Sequence, residues 1–135
     1  MRTLVPAVAL SGMACLLLSS SASSQTPTQG ADAAAGQQLF NNACRTCHTV
    51  REGDNRQGPN LHRIIGRKAG SLPGYGYSSA MKEAGFAWDA DKLDRFMTNP
   101  DAVVSGNSMK PYGGLASADD RAKIIAFLQS GTAGQ

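Results

Sequence analysis

The feature that most limits what this chain can fold into is the five-residue run Cys44-Arg45-Thr46-Cys47-His48. It has the Cys-x-x-Cys-His pattern through which a c-type haem is attached. Two thiols three residues apart lie on one face of a helical turn, where each can bond one of the two vinyl groups of a single haem. The histidine that follows is then pinned beside the iron and supplies an axial imidazole. Cys44 and Cys47 therefore read as the covalent anchors of one haem c, and His48 as the first iron ligand.

Other uses of the motif fit less well. A redox-active Cys-x-x-Cys sits beside a strand-helix-strand pattern, and no convincing strand is visible in the sequence. A structural zinc site takes four ligands, whereas the chain has three cysteines and two histidines, with Cys15 in an apolar leader. A disulfide across so short a spacing closes too small a loop to stabilise much.

Met1-Arg2-Thr3 gives the N-terminus a positive start, and an apolar run from Leu4 to Leu18 follows, broken by Pro6, Ser11 and Gly12. Small residues come next, from Ser19 to Ser24. This order predicts a signal peptide over residues 1–24, cut near Ser24 with Ser21-Ala22-Ser23 as a competing site, and hence export to the periplasm. The alternative is an uncleaved leader acting as membrane anchor, although the run is short and interrupted beside the ~20 apolar residues of a spanning helix. A lipidated Cys15 suits the pattern poorly, because Leu16, Leu17 and Leu18 continue the apolar run. Residues 25–31 read as a flexible tail, and 32–131 as one small domain. A net charge of +3 is too mild to indicate nucleic acid. Mixed runs such as Lys92-Leu93-Asp94-Arg95 read as solvated faces.

Five segments have helical character, and the expected class is all-α. The first runs from about Ala33 to Ala43, with Asp32 as its cap and Gly36, Leu39, Phe40 and Ala43 on one face. A short helical turn is expected after Pro59, with Leu61, Ile64 and Ile65 inward and Gly66 as its stop. The others are Ser79 to Ala84 capped by Ser78, Ala90 to Thr98 capped by Asp89, and Ala118 to about Ser130 capped by Ser117. Asn99-Pro100 ends the fourth. Two long loops, Arg67 to Tyr77 and Asp101 to Ala116, remain. Long structureless loops in a small domain are usually functional, and wrapping a planar group accounts for both.

The ligand at the second axial position decides what such an iron does: methionine suits an electron carrier, and a vacancy suits gas binding or catalysis. Met81, Met97, Met109 and His62 are the candidates outside the leader. Met97 sits in a helical stripe with Leu93 and Phe96, where methionine usually fills core, and Met81 lies in a short helix. His62 follows the Gly58-Pro59-Asn60-Leu61 turn and reads as exposed. Met109 alone stands in a polar loop, among Ser105, Gly106, Asn107 and Ser108, with no helical face to serve. It is the expected second ligand.

From about Ala35 to Gln129 the chain resembles the class I cytochrome c family. Gly36 and Phe40 match its first-helix glycine and aromatic, and Phe127-Leu128 its last-helix contact. Asn99-Pro100 followed nine residues later by Met109 matches its methionine loop. The resemblance implies that fold, about five short helices with loops wrapping one covalently bound haem c. It also implies roles for the cofactor-binding residues. The Pro59 carbonyl would accept from His48, Arg67 in Gly66-Arg67-Lys68 would lie near a propionate, and Tyr77 and Trp88 would hydrogen-bond propionates, with Tyr75 a further candidate. Asn107 would bond near Met109 or to a propionate. Two departures stand out. Phe96 occupies the place of a tyrosine that donates to the methionine sulfur in mitochondrial members, and the loop around Met109 lacks their run of lysines.

The function implied is a periplasmic one-electron carrier, not an enzyme. It would pass electrons from a quinol-oxidising complex or dehydrogenase to a terminal oxidase or reductase. Redox-protein contacts would be transient, with docking to a membrane complex, and the chain would be monomeric with no nucleic-acid partner. Alternatives are a fixed haem subunit of a dehydrogenase complex, or a haem sensor or weak peroxidase with a labile sixth ligand. Aromatic residues form only 6% of the chain, so a domain this small gains much of its buried apolar surface from the cofactor. Far-UV circular dichroism of the Cys44→Ala, Cys47→Ala double variant should show most of the helicity lost; full helicity without haem would refute this.

Overall fold

The computed structural model describes the backbone of residues 27–131 and side chains from residue 32. The expected leader (1–24), Cys15 included, lies outside the described residues. Among these residues there are five helices: α1 Pro27–Ala43, α2 Ser79–Lys82, α3 Ala90–Thr98, α4 Pro100–Val103 and α5 Ala118–Gln129. The sole extended pairing among them is an isolated antiparallel bridge between Lys68 and Ala87. No helix of the described residues is long and apolar enough to cross a membrane.

Local chemistry sets three of the helix starts. Ser78, Asp89 and Ser117 are extended N-caps whose side chains accept from the N–H groups of Met81, Lys92 and Asp120, each worth about 1 kcal/mol. Asn99 serves twice. It closes α3 as C-cap, and its side chain accepts from the N–H groups of Asp101 and Ala102 to open α4.

Three expectations need correction. α1 begins at Pro27, inside the segment read as a tail, so Asp32 lies within the helix and does not cap it. Proline suits a first helical position, and the helix runs from there through polar residues. The segment after Pro59 forms two successive turns, not a helix. Arg63 has a left-handed φ of 49°, which breaks the helical path. The chain then bonds across to another segment, Gly66 N–H to the Trp88 carbonyl and Ala69 N–H to that of Phe86. Ile64 is buried as expected, but Ile65 is exposed. The 101–116 loop, finally, is entered through α4.

The two ends of the domain pack on one another. Phe40 of α1 meets Phe127 of α5 with ring centroids 5.5 Å apart and tilted, and Ile124 and Leu128 are buried beside them. Such side chains contribute about 1.5–3 kcal/mol each on burial. The crossing is close because Gly36 has no side chain: a Cβ there would lie 1.9 Å from the Lys123 carbonyl oxygen and 2.9 Å from the Phe127 Cβ. α5 is tied to α3 by Arg121, a buried cation that donates to Asp94 Oδ1 at 2.7 Å and to the Leu115 and Ala116 carbonyls, both at 2.8 Å. Asp94 thus serves the interior, although its run reads as a solvated face. Gly36→Ala should destabilise the holoprotein by about 1–3 kcal/mol, measured as a lower denaturant midpoint; an unchanged midpoint would mean the helices separate freely.

Candidate functional site

α1 ends at Ala43 and the chain turns at once into Cys44–His48. The N–H groups of Cys44 and Arg45 both bond the Phe40 carbonyl, at 2.8 and 3.1 Å, and the N–H groups of Cys47 and His48 both bond the Cys44 carbonyl, at 3.1 and 2.9 Å. The motif is therefore wound as tight turns on the end of a packed helix. Cys44 and Cys47 are free thiols, each half-buried. Burial first, and Cys47 second, push the Cys44 thiol up to about 11. At neutral pH it is a neutral thiol, unlike the depressed, reactive cysteine of a disulfide oxidoreductase. No group of three His, Cys, Asp or Glu side chains gathers as a metal cluster among the described residues, as a zinc site would require.

Both thiols open on a cavity of about 330 Å³. Its wall is mostly apolar: Phe40, Ile64, Leu93, Phe96, Ile124 and Leu128 line it, and all six also belong to the hydrophobic core. Every predicted cofactor or metal residue is on this wall, namely Cys44, Cys47, His48, Pro59, Arg67, Tyr75, Tyr77, Trp88, Asn107 and Met109. His62 is not, and it is half-buried where exposure is expected.

His48 is buried and its Nδ1 lies 2.8 Å from the Pro59 carbonyl oxygen. That oxygen accepts, so Nδ1 carries the proton and Nε2 is the nitrogen left for a metal. Burial holds the imidazole pKa below its ordinary value, against the Pro59 bond, and Arg67 lowers it further; both influences favour the neutral ring that a metal ligand needs. Gly58 lies flat against this ring. A Cβ there would meet His48 Cε1 at 2.3 Å and Nδ1 at 2.6 Å.

Arg67 donates from its two terminal nitrogens to the Asn60 carbonyl at 2.7 Å and the His62 carbonyl at 3.3 Å. No carboxylate pairs with it among the described residues, and burial draws its pKa down while the nearby Tyr77 opposes. The Tyr77 phenol is pushed up by burial, against Arg67 and the Leu72 backbone. Trp88 is buried, edge-on to Phe86 and Phe96 at 5.0 Å each, and no described residue accepts its indole N–H. A half-buried guanidinium without a counter-ion and an indole donor without an acceptor fit a group that is flat, apolar and edged with carboxylates. Haem fits this description.

Three thioethers reach the wall. Met81 and Met97 are buried on helices, and half-buried Met109 lies in the loop. Asn107 spends its whole amide on that loop: Nδ2 donates to Asp101 Oδ1 at 2.8 Å and to the Val104 carbonyl at 2.9 Å, and Oδ1 accepts from the Met109 N–H at 2.9 Å. Asn107 thus bonds directly to the residue expected as second ligand. Tyr75 donates to the Gln57 carbonyl at 2.5 Å and stacks edge-on to Tyr77.

Sequence reasoning missed Tyr112 and Gln57. Tyr112 lines the cavity and donates to the Met97 carbonyl at 2.8 Å; a lone tyrosine in a loop of glycine, serine and proline was the available signal. Gln57 also takes a contact from Cys47 Sγ at 3.4 Å, and nothing in its neighbours marks it out.

The family model for cytochrome c matches residues 33–132. The cytochrome c of Gibberella zeae is 42% identical over 104 residues, covering 76% of this chain and 97% of that protein. That of Stellaria longipes is 42% identical over 102 residues, covering 75% and 94%. Among solved structures, cytochrome cH from Methylobacterium extorquens superposes with a TM-score of 0.67 at 35% identity, over 73% of this chain and 98% of that one. Gly58→Ala should drive the imidazole off the Pro59 carbonyl and lower the yield of haem-loaded protein, read from the ratio of haem to protein absorbance; a wild-type ratio would show that the ring has room to move.

Proposed function

The chain belongs to the cytochrome c family, and from that premise we propose that it shuttles single electrons in the periplasm, with His48 and Met109 as the two axial ligands. Members of the family bind haem c covalently and carry electrons, and Cys44, Cys47 and His48 form the attachment motif here. Haem held there supplies a one-electron ferric–ferrous couple.

The observation that carries the reading is that an imidazole hydrogen-bonded to the Pro59 carbonyl and a loop-borne thioether line the same apolar cavity. His48 and Met109 would both hold the iron, so no substrate would have to reach it. Met/His ligation favours the reduced state in cytochromes c, as does an apolar surround. The Pro59 carbonyl orients His48, and Arg67, Tyr77 and Trp88 receive the acidic edge.

The leader pattern over residues 1–24 supports export, as does the attachment chemistry, which needs reduced thiols handled outside the bacterial cytoplasm. The donor is a quinol-oxidising complex or dehydrogenase, and the acceptor a terminal oxidase or reductase. The carrier is a monomer that meets both through small, short-lived interfaces. Two cations line the cavity: Arg67 is held by carbonyls, and Lys110 is paired with Asp101. Docking at this edge is accordingly more apolar than electrostatic.

Met109→Ala should abolish the red charge-transfer band by which ferric haem reports a thioether ligand. It should also lower the midpoint potential by on the order of 0.1 V or more. A band that survives would move the ligand to another methionine. Intact mass of the exported wild type should show one haem added and the leader removed. Its oxidation by the acceptor should change less than about threefold between roughly 0.05 and 0.2 M salt.

A further inference from the structure

We propose that Asp101 is a positioning residue for Met109, its one carboxylate fastening the loop on both sides of the thioether. The proposal rests on Met109 being the second axial ligand. Asp101 is itself fixed from behind, because Asn99 Oδ1 accepts from its N–H at 3.1 Å at the cap of α4. Its two oxygens then diverge. Oδ1 accepts from Asn107 Nδ2 at 2.8 Å, and Oδ2 accepts from the Lys110 ammonium.

Asn107 stands two residues before Met109 and Lys110 one residue after it, so the ligand is bracketed. On the leading side the path continues inward, because Asn107 Oδ1 receives the Met109 N–H at 2.9 Å. A chain of hydrogen bonds thus runs from the cap of α4 to the backbone of the ligand. Its inner member is buried at 6% exposure. The Lys110 pair is about half-exposed on both sides, and such pairs contribute little alone. Weight falls on the buried amide, where losing the carboxylate leaves an N–H unmet. Tyr112 holds the far side of the loop to the Met97 carbonyl. The brace acts on the loop backbone, through the Met109 N–H.

The test is imidazole binding to ferric holoprotein, since exogenous imidazole must displace the thioether. The dissociation constant should fall about tenfold in Asp101→Ala, a factor equal to about 1.4 kcal/mol. In Asp101→Asn, which keeps an acceptor for Asn107 but not the charge for Lys110, and in Lys110→Ala, it should fall about threefold. Lys123→Ala, which removes a remote surface pair with Asp119, should bind imidazole as wild type does. Far-UV melting separates the effects, because a merely structural role lowers the melting temperature without tightening imidazole. An Asp101→Ala affinity within about twofold of wild type, with the charge-transfer band intact, overturns the proposal. Should that variant not fold, wild-type affinity in both Asp101→Asn and Lys110→Ala overturns it equally. A wild type without the band removes the Met109 reading, and the proposal with it, whereas a wild-type band with unaltered variants removes the proposal alone.

Discussion

The core of this domain and the wall of its site are the same side chains. Phe40, Ile64, Leu93, Phe96, Ile124 and Leu128 are buried from solvent and yet face a shared gap. Interiors are close-packed, and a void forfeits the contacts its lining would make. An apolar group filling this gap therefore completes the fold as well as the site. The surrounding arrangement serves that condition. α1 and α5 cross tightly at Gly36 to fix one end of the gap, the bridge between Lys68 and Ala87 holds one side, and the loop after α4 closes another.

Polar groups around the gap are disposed by what each can find nearby. Arg121 meets a carboxylate and two carbonyls and is structural. Arg67 meets carbonyls alone, which accept its hydrogen bonds but leave its charge unbalanced. One cation thus closes the protein on itself, and the other keeps its charge at the cavity wall.

What the sequence disclosed and what it concealed divide along a physical line. The attachment motif was legible because covalent bonding to two vinyl groups and an adjacent iron leaves little freedom in spacing. The caps Ser78, Asp89 and Ser117 were legible because cap and donor sit within one turn. The turns after Pro59 are not legible in the sequence, because the chain that follows them takes its backbone partners from Phe86 and Trp88, which lie far along the chain. The second duty of Asn99 was hidden by the proline that follows it, which marks the end of α3 and the beginning of α4 alike. The tasks of Arg121, Tyr112 and Asn107 depend on carbonyls that only the folded chain brings close. The whole predicted site gathers on one cavity, yet the brace from Asp101 to Met109 is not visible in the order of residues.

The crossing of α1 and α5 joins the first helix of the described residues to the last. A polypeptide made or threaded from its N-terminus has no seat for Gly36 until Lys123 has emerged, so α1 waits without its partner for most of that passage. Throughout the delay the two thiols just beyond α1 are not yet enclosed. Late closure of the ends leaves an interval in which a bulky modifying catalyst can reach both sulfurs before the domain shuts over them.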